Sequence, residues 1–447
     1  MGGGADAMKL AVVGLGKLGS PLAAVLASAG HEVVGVDMNP ELVAAVNAGR
    51  PPVQEPDLAE VMSNAGGRLR ATTNYRDAIP GSEVSFVIVP TPSDRRGLFS
   101  NQWVVRAAAE IGEVLKETDH YHVVNVTSTV MPGSTGGEIR AALEAASGRK
   151  VGVDVGLTYN PEFIALGSVV RDLLRPDMLL IGESDRRAGD RLEAVYRAFL
   201  DERTPVQRMN WVNAEIAKIS VNTFVTTKIS YANMLAELCE KIPEADVDVV
   251  TEALGKDTRI GPKYLKGGLG YGGPCFPRDN VAWAALARSL GSAAELAEAT
   301  DAVNRRQSER MVSLVCRLAP KGGSVAVLGL AYKPNTPVIE ESQGLEIAKR
   351  LGENGFAVVA HDATAAEAAS LALGDRIRVV ADANEAIRFA DAIVVATPAV
   401  EYASLTPDSF ARAGQRRIVV DCWRVLPSEI DDVAEVYDIG RNIGVIS

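Results

Sequence analysis

The 447-residue sequence contains little cysteine, little histidine and less positive than negative charge. Its four cysteines include no Cys-x-x-Cys pair and its four histidines lack the spacing of metal ligands, so neither a disulfide framework nor a metal site is predicted. Lysine and arginine number 46 against 57 aspartates and glutamates, which gives a formal net charge of -11. Because no basic excess is present to neutralise a phosphate polymer, we expect neither a nucleic acid nor an anionic membrane as a partner.

Long hydrophobic runs are also missing. The apolar runs are interrupted by glycine or charge, so no transmembrane helix is predicted. Residues 1–7 have neither the charged start nor the apolar core of a signal peptide, and we interpret them as a flexible leader before Met8. The scattered cysteines fit a reducing cytoplasm. A hydrophobic content of 47% is typical of a globular chain, and its length predicts roughly three domains.

Strand and helix patterns alternate in the first part of the chain. An apolar run at residues 9–14 is followed by a helix of small residues at 21–29 and a second strand at 31–37. Further strands are predicted at 84–89, 122–126, 156–159 and 179–181, with helices at 103–117 and 134–146. This alternation predicts a parallel, doubly wound sheet.

The pattern changes in the middle of the chain. Residues 213–254 are nearly all helix-forming, with Pro243 as the clear break, and we interpret this long helix as a connector and dimer surface. A second α/β pattern, with strands at 324–330, 357–361, 392–396 and 418–420 and a helix at 345–354, echoes the first without its glycine spacing. We therefore predict an α/β fold of two Rossmann-like doubly wound domains, residues 8–205 and 306–447, joined by a helical central domain, residues 206–305.

Three glycines after the first strand predict a dinucleotide site. Gly14, Gly16 and Gly19 match G-x-G-x-x-G, in which the glycines allow a tight turn, close approach to a pyrophosphate and close helix packing. Asp37 ends the second strand, where a carboxylate binds a ribose 2′-hydroxyl and repels a 2′-phosphate. No arginine follows Asp37, so NAD is favoured over NADP.

Hydroxyl side chains follow two later strands. Residues 89–92 (Val-Pro-Thr-Pro) and 127–134 lie at the carboxyl ends of predicted parallel strands, where an open α/β sheet binds its ligand. Hydroxyls there can contact the cofactor or the reacting carbon, but threonine and serine before a helix are also ordinary caps. The pattern leaves both interpretations open.

Cys275 lies in a segment, residues 267–279, that is rich in glycine and contains two prolines. A free cysteine is most often a small buried apolar residue, which fits the other three cysteines. This segment is too rich in glycine for core packing, and its amides, with the helix start predicted after Pro277, can hold a thiolate. Both a buried and a nucleophilic Cys275 stay open. With a hydride acceptor, a nucleophilic thiol would capture a carbonyl and allow its oxidation to the acid.

Lys218 and Asn222 stand four residues apart, on one face of the long central helix. A solvated charged stripe is the ordinary explanation for such a lysine. A role in a closed site is the alternative, and the spacing alone does not choose between them.

The order of these motifs resembles the UDP-glucose/GDP-mannose dehydrogenase family from Met8 onward. The matching segments are Gly14–Gly19, residues 89–92, 128–130, 160–163, Lys218-x-x-x-Asn222, and residues 259–261, 272–279 and 329–336. The resemblance implies an NAD-dependent enzyme that oxidises the primary alcohol of a nucleotide-linked sugar to a carboxylate with two NAD. It also implies a cytoplasmic homodimer or higher homo-oligomer that serves polysaccharide biosynthesis.

The resemblance also implies roles for individual residues. Cys275 captures the aldehyde as a thiohemiacetal that is oxidised to a thioester, and Lys218 stabilises the developing oxyanion. Asn222 holds the sugar oxygen, Asp279 orients water or tunes Lys218, Glu162 handles water or protons, and Thr129 lies near the nicotinamide. The predicted NAD contacts are Gly14, Gly16, Lys17, Leu18, Gly19, Asp37, Pro90, Thr91, Ser128, Thr129 and Arg278. The predicted substrate contacts are Glu162, Phe163, Lys218, Asn222, Arg259, Tyr264, Gly270, Tyr271, Gly272 and Lys333, with Arg259 reaching the neighbouring subunit.

Two positions depart from the family pattern. Leu166 stands where the family often has a second glutamate, and Glu340 stands where it usually has an arginine that contacts the nucleotide. The resemblance implies UDP-glucose or a UDP-N-acetylhexosamine as the substrate. The two departures put the usual UDP contact in question and motivate the alternatives, a GDP-sugar or an oxidation that stops at the aldehyde. A non-catalytic protein that binds NAD or a nucleotide sugar is a further alternative, although the catalytic residues are all retained.

Overall fold

The computed structural model describes residues 7–442, and the chain divides after Ser220 into two compact units. The predicted leader, residues 1–7, lies outside the described residues except for its last residue. Among the described residues, no helix combines the length and the apolarity needed to cross a membrane.

The first unit is built on one sheet of eight strands. These are β1 Lys9–Val13, β2 Glu32–Val36, β3 Leu69–Thr72, β4 Val84–Val87, β5 Val123–Val126, β6 Gly156–Tyr159, β7 Leu179–Glu183 and β8 Val206–Met209. They lie in the order β3-β2-β1-β4-β5-β6-β7-β8, so the chain changes direction across the sheet between β1 and β4. β4, β5 and β6 are buried at every position, as expected for strands covered by helices on both faces.

Eight α-helices begin among the described residues of this unit. They are α1 Gly19–Ser28, α2 Pro40–Asn47, α3 Leu58–Ala65, α4 Gln102–Leu115, α5 Arg140–Ser147, α6 Val169–Leu174, α7 Arg186–Arg197 and α8 Trp211–Cys239. The predicted helix at 134–146 differs at its start, because residues 135–139 form a wider turn with Gly137 outside helical backbone angles. α8 is the predicted long helix, and it continues past Ser220 into the second unit.

The prediction of a wholly parallel first sheet is wrong at β7, Leu179–Glu183. β7 runs antiparallel to β6, with Thr158 opposite Glu183, and β8 then runs parallel to β7. A parallel strand needs a crossover that returns the chain to the starting end of the sheet. The segment between β6 and β7 contains only the six-residue α6, and the chain re-enters the sheet at the end where β6 stops.

The second unit contains a six-stranded, all-parallel sheet. Its strands are β9 Ser324–Leu328, β10 Ala357–His361, β11 Arg378–Val380, β12 Ala392–Val395, β13 Arg417–Asp421 and β14 Ala434–Asp438. The order β11-β10-β9-β12-β13-β14 repeats the first six strands of the other sheet, so the second Rossmann-like domain is confirmed. The helices are α9 Val247–Lys256, α10 Phe276–Ser289, α11 Glu295–Leu318, α12 Gln343–Glu353, α13 Ala366–Leu373, α14 Ala383–Phe389, α15 Val400–Ala403 and α16 Pro407–Phe410.

The two sheets use the same glycine device after their first strand. Gly14 donates its N–H to Val36 at 2.8 Å, and a Cβ on Gly19 would lie 1.8 Å from the Gly14 carbonyl oxygen. In the second sheet Gly329 donates to His361 at 2.8 Å, and a Cβ on Gly344 would lie 2.0 Å from the Gly329 oxygen. The sequence pattern hides this repeat, because the spacing grows from five positions (14 to 19) to fifteen (329 to 344).

We predict that Gly344→Ala destabilises the second unit by about 1–3 kcal/mol, because the new methyl group meets a backbone oxygen that cannot move aside. Gly352→Ala on the same helix is the matched control, since the nearest atom to its Cβ is 3.7 Å away. That variant should be unchanged or gain up to about 1 kcal/mol, because alanine favours helix over glycine. Thermal unfolding followed by circular dichroism compares the two, and equal stability of the two variants would contradict the packing described.

Candidate functional site

The turn after β1 leaves room for a phosphate. Gly14 has a φ of +99°, which favours glycine, and the tight contact between Gly14 and Gly19 brings the N-terminus of α1 against the strand end. At Gly16, by contrast, a Cβ would meet no atom within 4 Å. This open space next to a helix N-terminus fits the pyrophosphate of a dinucleotide. The observed turn therefore agrees with the predicted NAD site, in which Lys17 is exposed and Leu18 is half-buried.

Asp37 is held at the end of β2 by backbone donors. Its Oδ2 accepts the Leu15 N–H at 2.7 Å, and its Oδ1 accepts the Asn39 N–H at 2.8 Å. The side chain stays partly exposed, and each carboxylate oxygen has a further lone pair. It is therefore placed to accept hydrogen bonds from ribose hydroxyls.

The hydroxyl residues after β4 and β5 are bonded to one another's loops. Ser128 Oγ accepts the Val89 N–H at 2.9 Å and donates to the Val89 carbonyl at 2.7 Å, and Thr91 Oγ1 donates to the Thr129 carbonyl at 2.8 Å. These bonds give Thr91 and Ser128 a structural role, in which they join the two loops and do not cap a helix. They also bring Pro90, Thr91 and Thr129 to the carboxyl edge of the sheet. Contact of these residues with NAD stays a prediction.

Glu215 is a site residue that the sequence analysis missed. This buried carboxylate on α8 accepts the Gly133 N–H at 2.6 Å and the Thr135 N–H at 2.8 Å, which ties the loop after Thr129 to the helix that carries Lys218. Burial raises the pKa of Glu215, and the hydrogen bonds oppose this effect. An acid three positions before Lys218 in a mostly apolar helix was the available signal.

Lys218 is buried, which excludes the solvated-stripe interpretation. Its side chain is only 7% exposed, and Nζ donates to the carbonyl of Glu162 at 2.7 Å. Nζ also lies 4.7 Å from the centre of the Phe163 ring. An ammonium group in a buried position loses its hydration by water, and the Glu162 carbonyl accepts one of its hydrogen bonds here.

Glu162 lies beside Lys218 in a network with α7. The hydroxyl of Tyr196, a buried residue of α7, donates to Asn160 Oδ1 at 2.5 Å and lies 3.1 Å from Glu162 Oε1. Burial raises the pKa of Glu162 to about 7, while the Tyr196 hydrogen bond and the charge of Lys218 act in the opposite direction. A carboxyl group that titrates near neutral pH suits proton transfer. Tyr196 was not predicted, because it is far from residue 162 in sequence.

The loop that follows Glu162 accounts for Leu166. Glu55 accepts the N–H groups of Gly167 at 3.0 Å and Val169 at 2.7 Å, which anchors the loop at the start of α6. Leu166 itself is partly buried and packs against the apolar cluster on one face of the first sheet. The residue that replaces the family's second glutamate thus contributes to the core.

Cys275 is exposed at the N-cap position of α10, so the buried interpretation is excluded. Its carbonyl accepts the Asp279 N–H at 2.9 Å, which closes the first turn of the helix, and Pro277 occupies one of the first helical positions. Backbone N–H groups at a helix N-terminus stabilise negative charge, and hence a thiolate. Of the other cysteines, Cys239 and Cys422 are buried and Cys316 is partly buried.

Asn222 and Asp279 are brought together in the second unit. Asn222 Nδ2 donates to Asp279 Oδ2 at 2.6 Å, and Asp279 is only 1% exposed. Arg278 Nε lies 3.7 Å from Asp279 Oδ1. The buried carboxylate of Asp279 therefore fixes the side-chain amide of Asn222 on α8 next to the first turn of α10. Cys275 is the N-cap residue of that helix and stands four positions before Asp279.

The remaining predicted substrate residues have different surroundings. Tyr271 is buried, and its hydroxyl donates to Asp301 at 2.5 Å while its backbone pairs with the Asn304 side chain. Tyr264 is exposed with a φ of +65°, and Arg259 is exposed in an ion pair with Asp257 at 2.6 Å. Lys333 Nζ lies 5.8 Å from the Tyr332 ring centre. Their contacts with a substrate stay predictions.

Three family models match consecutive parts of the chain. They describe the UDP-glucose/GDP-mannose dehydrogenase family: its NAD binding domain at residues 8–200, its central domain at residues 212–306 and its UDP binding domain at residues 326–428. Together they cover most of the chain.

Named relatives agree with this assignment. The chain is 39% identical to the UDP-glucose 6-dehydrogenase AglM of Haloferax volcanii over 94% of this chain and 97% of that protein. It is 34% identical to a GDP-mannose 6-dehydrogenase of Pseudomonas putida over 79% of this chain and 81% of that one. The solved structure of a UDP-glucose dehydrogenase from Pyrobaculum islandicum matches with a TM-score of 0.89 and 35% identity over 99% of both chains.

We predict that Gly16→Val weakens NAD binding by roughly tenfold or more, which corresponds to about 1.4 kcal/mol, because the side chain takes the space left for the pyrophosphate. The fold should be retained, since nothing lies within 4 Å of the new Cβ. Gly67→Val is the control, because it is exposed and also has open space around its Cβ. Calorimetric titration with NAD measures both. Equal affinity of the Gly16 variant and the control would remove Gly16 from the cofactor site.

The raised pKa of Glu162 predicts that the stability of the folded protein depends on pH. Its pKa is higher in the folded protein, about 7, than its ordinary value of 4.5, so the folded state binds this proton more tightly. The resulting stability is present below about pH 4.5 and is lost as the pH rises through about 7, by an amount on the order of 1–3 kcal/mol. Glu162→Gln should remove this contribution. Unfolding temperatures of both proteins between pH 5 and 8 test it, and parallel curves would contradict the burial of this carboxyl group.

Proposed function

The chain belongs to the UDP-glucose/GDP-mannose dehydrogenase family, and we propose that it oxidises the primary alcohol of a UDP-linked sugar to the carboxylate in two NAD-dependent steps. UDP-glucose and UDP-N-acetylhexosamines are the preferred candidates. The observation that carries the proposal is the exposed Cys275 thiol at a helix N-terminus, in a chain that also has an open dinucleotide turn at Gly16. The match of the third domain to a UDP binding domain supports the choice of nucleotide.

The chemistry requires two hydride acceptors, and two NAD bound one after the other at the turn after β1 would each accept one hydride. After the first oxidation, the sulfur of Cys275 attacks the aldehyde carbon, a C–S bond forms and the carbonyl oxygen takes a proton. Loss of the second hydride and of the hydroxyl proton from this thiohemiacetal gives a thioester. Water then attacks the thioester carbon, the C–S bond breaks and the thiol and the acid are released. Thiol capture is therefore what distinguishes this enzyme from an alcohol dehydrogenase.

Lys218 is assigned to the oxygen of the reacting carbon. Its ammonium group is fixed by the Glu162 carbonyl and shielded from water, and a fixed cation stabilises developing negative charge most strongly in such surroundings. Asn222, held by Asp279, is assigned to the sugar oxygen one helical turn further along α8. Glu162, with a pKa near neutral, accepts the proton of the attacking water.

The family relatives also favour a second candidate, a GDP-linked sugar. Glu340, which replaces the arginine expected at the nucleotide, is exposed and reverses the charge there. Several relatives of this chain are GDP-mannose 6-dehydrogenases. A panel of UDP-, GDP- and dTDP-sugars with NAD separates the candidates: turnover is expected with a UDP-sugar, and turnover with a GDP-sugar alone would replace our first candidate with the second.

We further propose a homodimer that works in the cytoplasm and supplies sugar acids for polysaccharide synthesis. α8 exposes Phe224, Tyr231 and Leu238, which are seven residues apart and so lie on one side of the helix. An apolar stripe of this kind fits burial against a second copy. The exposed Cys275 thiol is consistent with a reducing compartment.

We predict that Cys275→Ser lowers the rate of acid formation by at least about a thousandfold, because a serine hydroxyl at neutral pH is a far weaker nucleophile than a thiolate. The wild type should form two NADH and one acid for each sugar consumed. Cys316→Ser, which changes a partly buried cysteine of α11, is the control and should keep the wild-type rate and the ratio of two NADH to one acid. NADH absorbance and product mass measure the rate and the ratio. Acid formation at the normal rate by the Cys275 variant would overturn the thiol mechanism.

A further inference from the structure

The second sheet repeats the turn of the first but inserts a segment into it. Asp362 Oδ2 accepts the Leu330 N–H at 2.8 Å, as Asp37 Oδ2 accepts the Leu15 N–H in the first sheet. Between Gly329 and Gly344, however, the chain adds residues that the first turn lacks. We call residues 331–342 the inserted segment. It carries Tyr332, Lys333 and both acids, Glu340 and Glu341.

The inserted segment packs directly on residues 267–275, which we call the cysteine loop. Gly273 donates its N–H to the Glu340 carbonyl at 2.9 Å. A Cβ on Gly272 would lie 2.2 Å from the Glu341 carbonyl oxygen, and a Cβ on Gly273 would lie 2.5 Å from the Tyr332 ring. These glycines therefore serve close packing against protein. Only two residues separate Gly272 from Cys275, so the inserted segment sets the path of the chain into α10.

The beginning of the same loop is held by the end of the third domain. Arg424, whose side chain is 1% exposed, donates to the Gly267 carbonyl at 2.7 Å and forms an ion pair with Asp248. A Cβ on Gly268 would lie 2.8 Å from the Trp423 ring. Both ends of the cysteine loop thus contact the domain that matches a UDP binding domain, while its middle is bonded to Asn233 and Asn304 of the central domain in which the loop lies.

We propose that Tyr332 is a positioning residue for Cys275: its ring, with the Glu340 and Glu341 backbone, holds the cysteine loop so that the thiol stays at the N-terminus of α10. The inference rests on the proposed function in that Cys275 is the nucleophile. It adds that the domain that matches a UDP binding domain determines where the thiol lies. A nucleoside diphosphate next to Lys333 would then bind on the segment that supports the thiol.

The test measures the thiol directly. Iodoacetamide modification of the full-length protein is followed at Cys275 by peptide mass spectrometry, with Cys316 in the same chain as the internal reference. Tyr332→Ala is expected to slow modification of Cys275 by about twofold to fivefold, the range that a helix N-terminus contributes to a nearby anion, and to leave Cys316 unchanged. Tyr332→Phe keeps the ring and should recover most of the rate.

A second pair of variants keeps the test valid if Tyr332→Ala does not fold. Gly273→Ala places a methyl group against the Tyr332 ring, whereas Gly322→Ala has a similar positive φ, +69° against +83°, but open space around its Cβ. Only the first should slow Cys275 modification.

Failure of the positioning role and failure of the proposed function give different results. An unchanged or faster Cys275 modification in Tyr332→Ala, or equal rates in the two alanine variants at Gly273 and Gly322, would overturn the positioning role. Modification requires neither NAD nor a sugar nucleotide, so this result does not depend on turnover. Absence of turnover by the wild type on the sugar panel would instead overturn the proposed function and leave the positioning result standing.

Discussion

Close approach of backbone to backbone, possible only where a residue has no Cβ, is the constraint on which the rest of this structure depends. It brings the N-terminus of α1 to the end of β1, the N-terminus of α12 to the end of β9, and the cysteine loop to the inserted segment. The first contact lies next to the open turn at Gly16, and the third lies next to the exposed Cys275 thiol. The same geometry that packs the protein thus positions helix N-termini, which favour negative charge, at these two places.

Burying the charged groups of the proposed catalytic residues costs free energy, and the structure shows which hydrogen bonds hold each of them. Lys218 and Asp279 are both buried charged groups, which proteins tolerate when the groups are bonded or functional. Lys218 donates to a backbone carbonyl, Asp279 accepts from Asn222, and Glu162 is bonded to Tyr196. The departure at Leu166 removes a charge from this environment and adds to the core instead. Glu162 is then the carboxyl group of residues 160–166 that remains for proton transfer.

Local patterns in the sequence predict the parts of the fold that depend on neighbouring residues. The dinucleotide turn, the two doubly wound sheets and the long helix follow from periodicity and glycine spacing. The exposure of Cys275 does not, since the sequence left a buried and a nucleophilic thiol open. The direction of β7 does not, because it depends on where a loop returns the chain. Glu215, Tyr196 and Tyr332 escape prediction for a related reason: each acts on a partner far away in sequence, at Gly133, Glu162 and Gly273. The burial of Lys218 likewise becomes visible only when the surrounding elements are in place.

The central claim is that oxidation passes through a sugar covalently bound to Cys275. Intact-protein and peptide mass spectrometry of Glu162→Gln, mixed with NAD and the UDP-sugar that the wild type oxidises, tests it most directly. Slowed hydrolysis should leave a thioester on Cys275 whose mass is that of the protein plus the substrate minus four hydrogens. Loss of acid formation by this variant with no adduct on Cys275, or an adduct on another residue, would contradict the account.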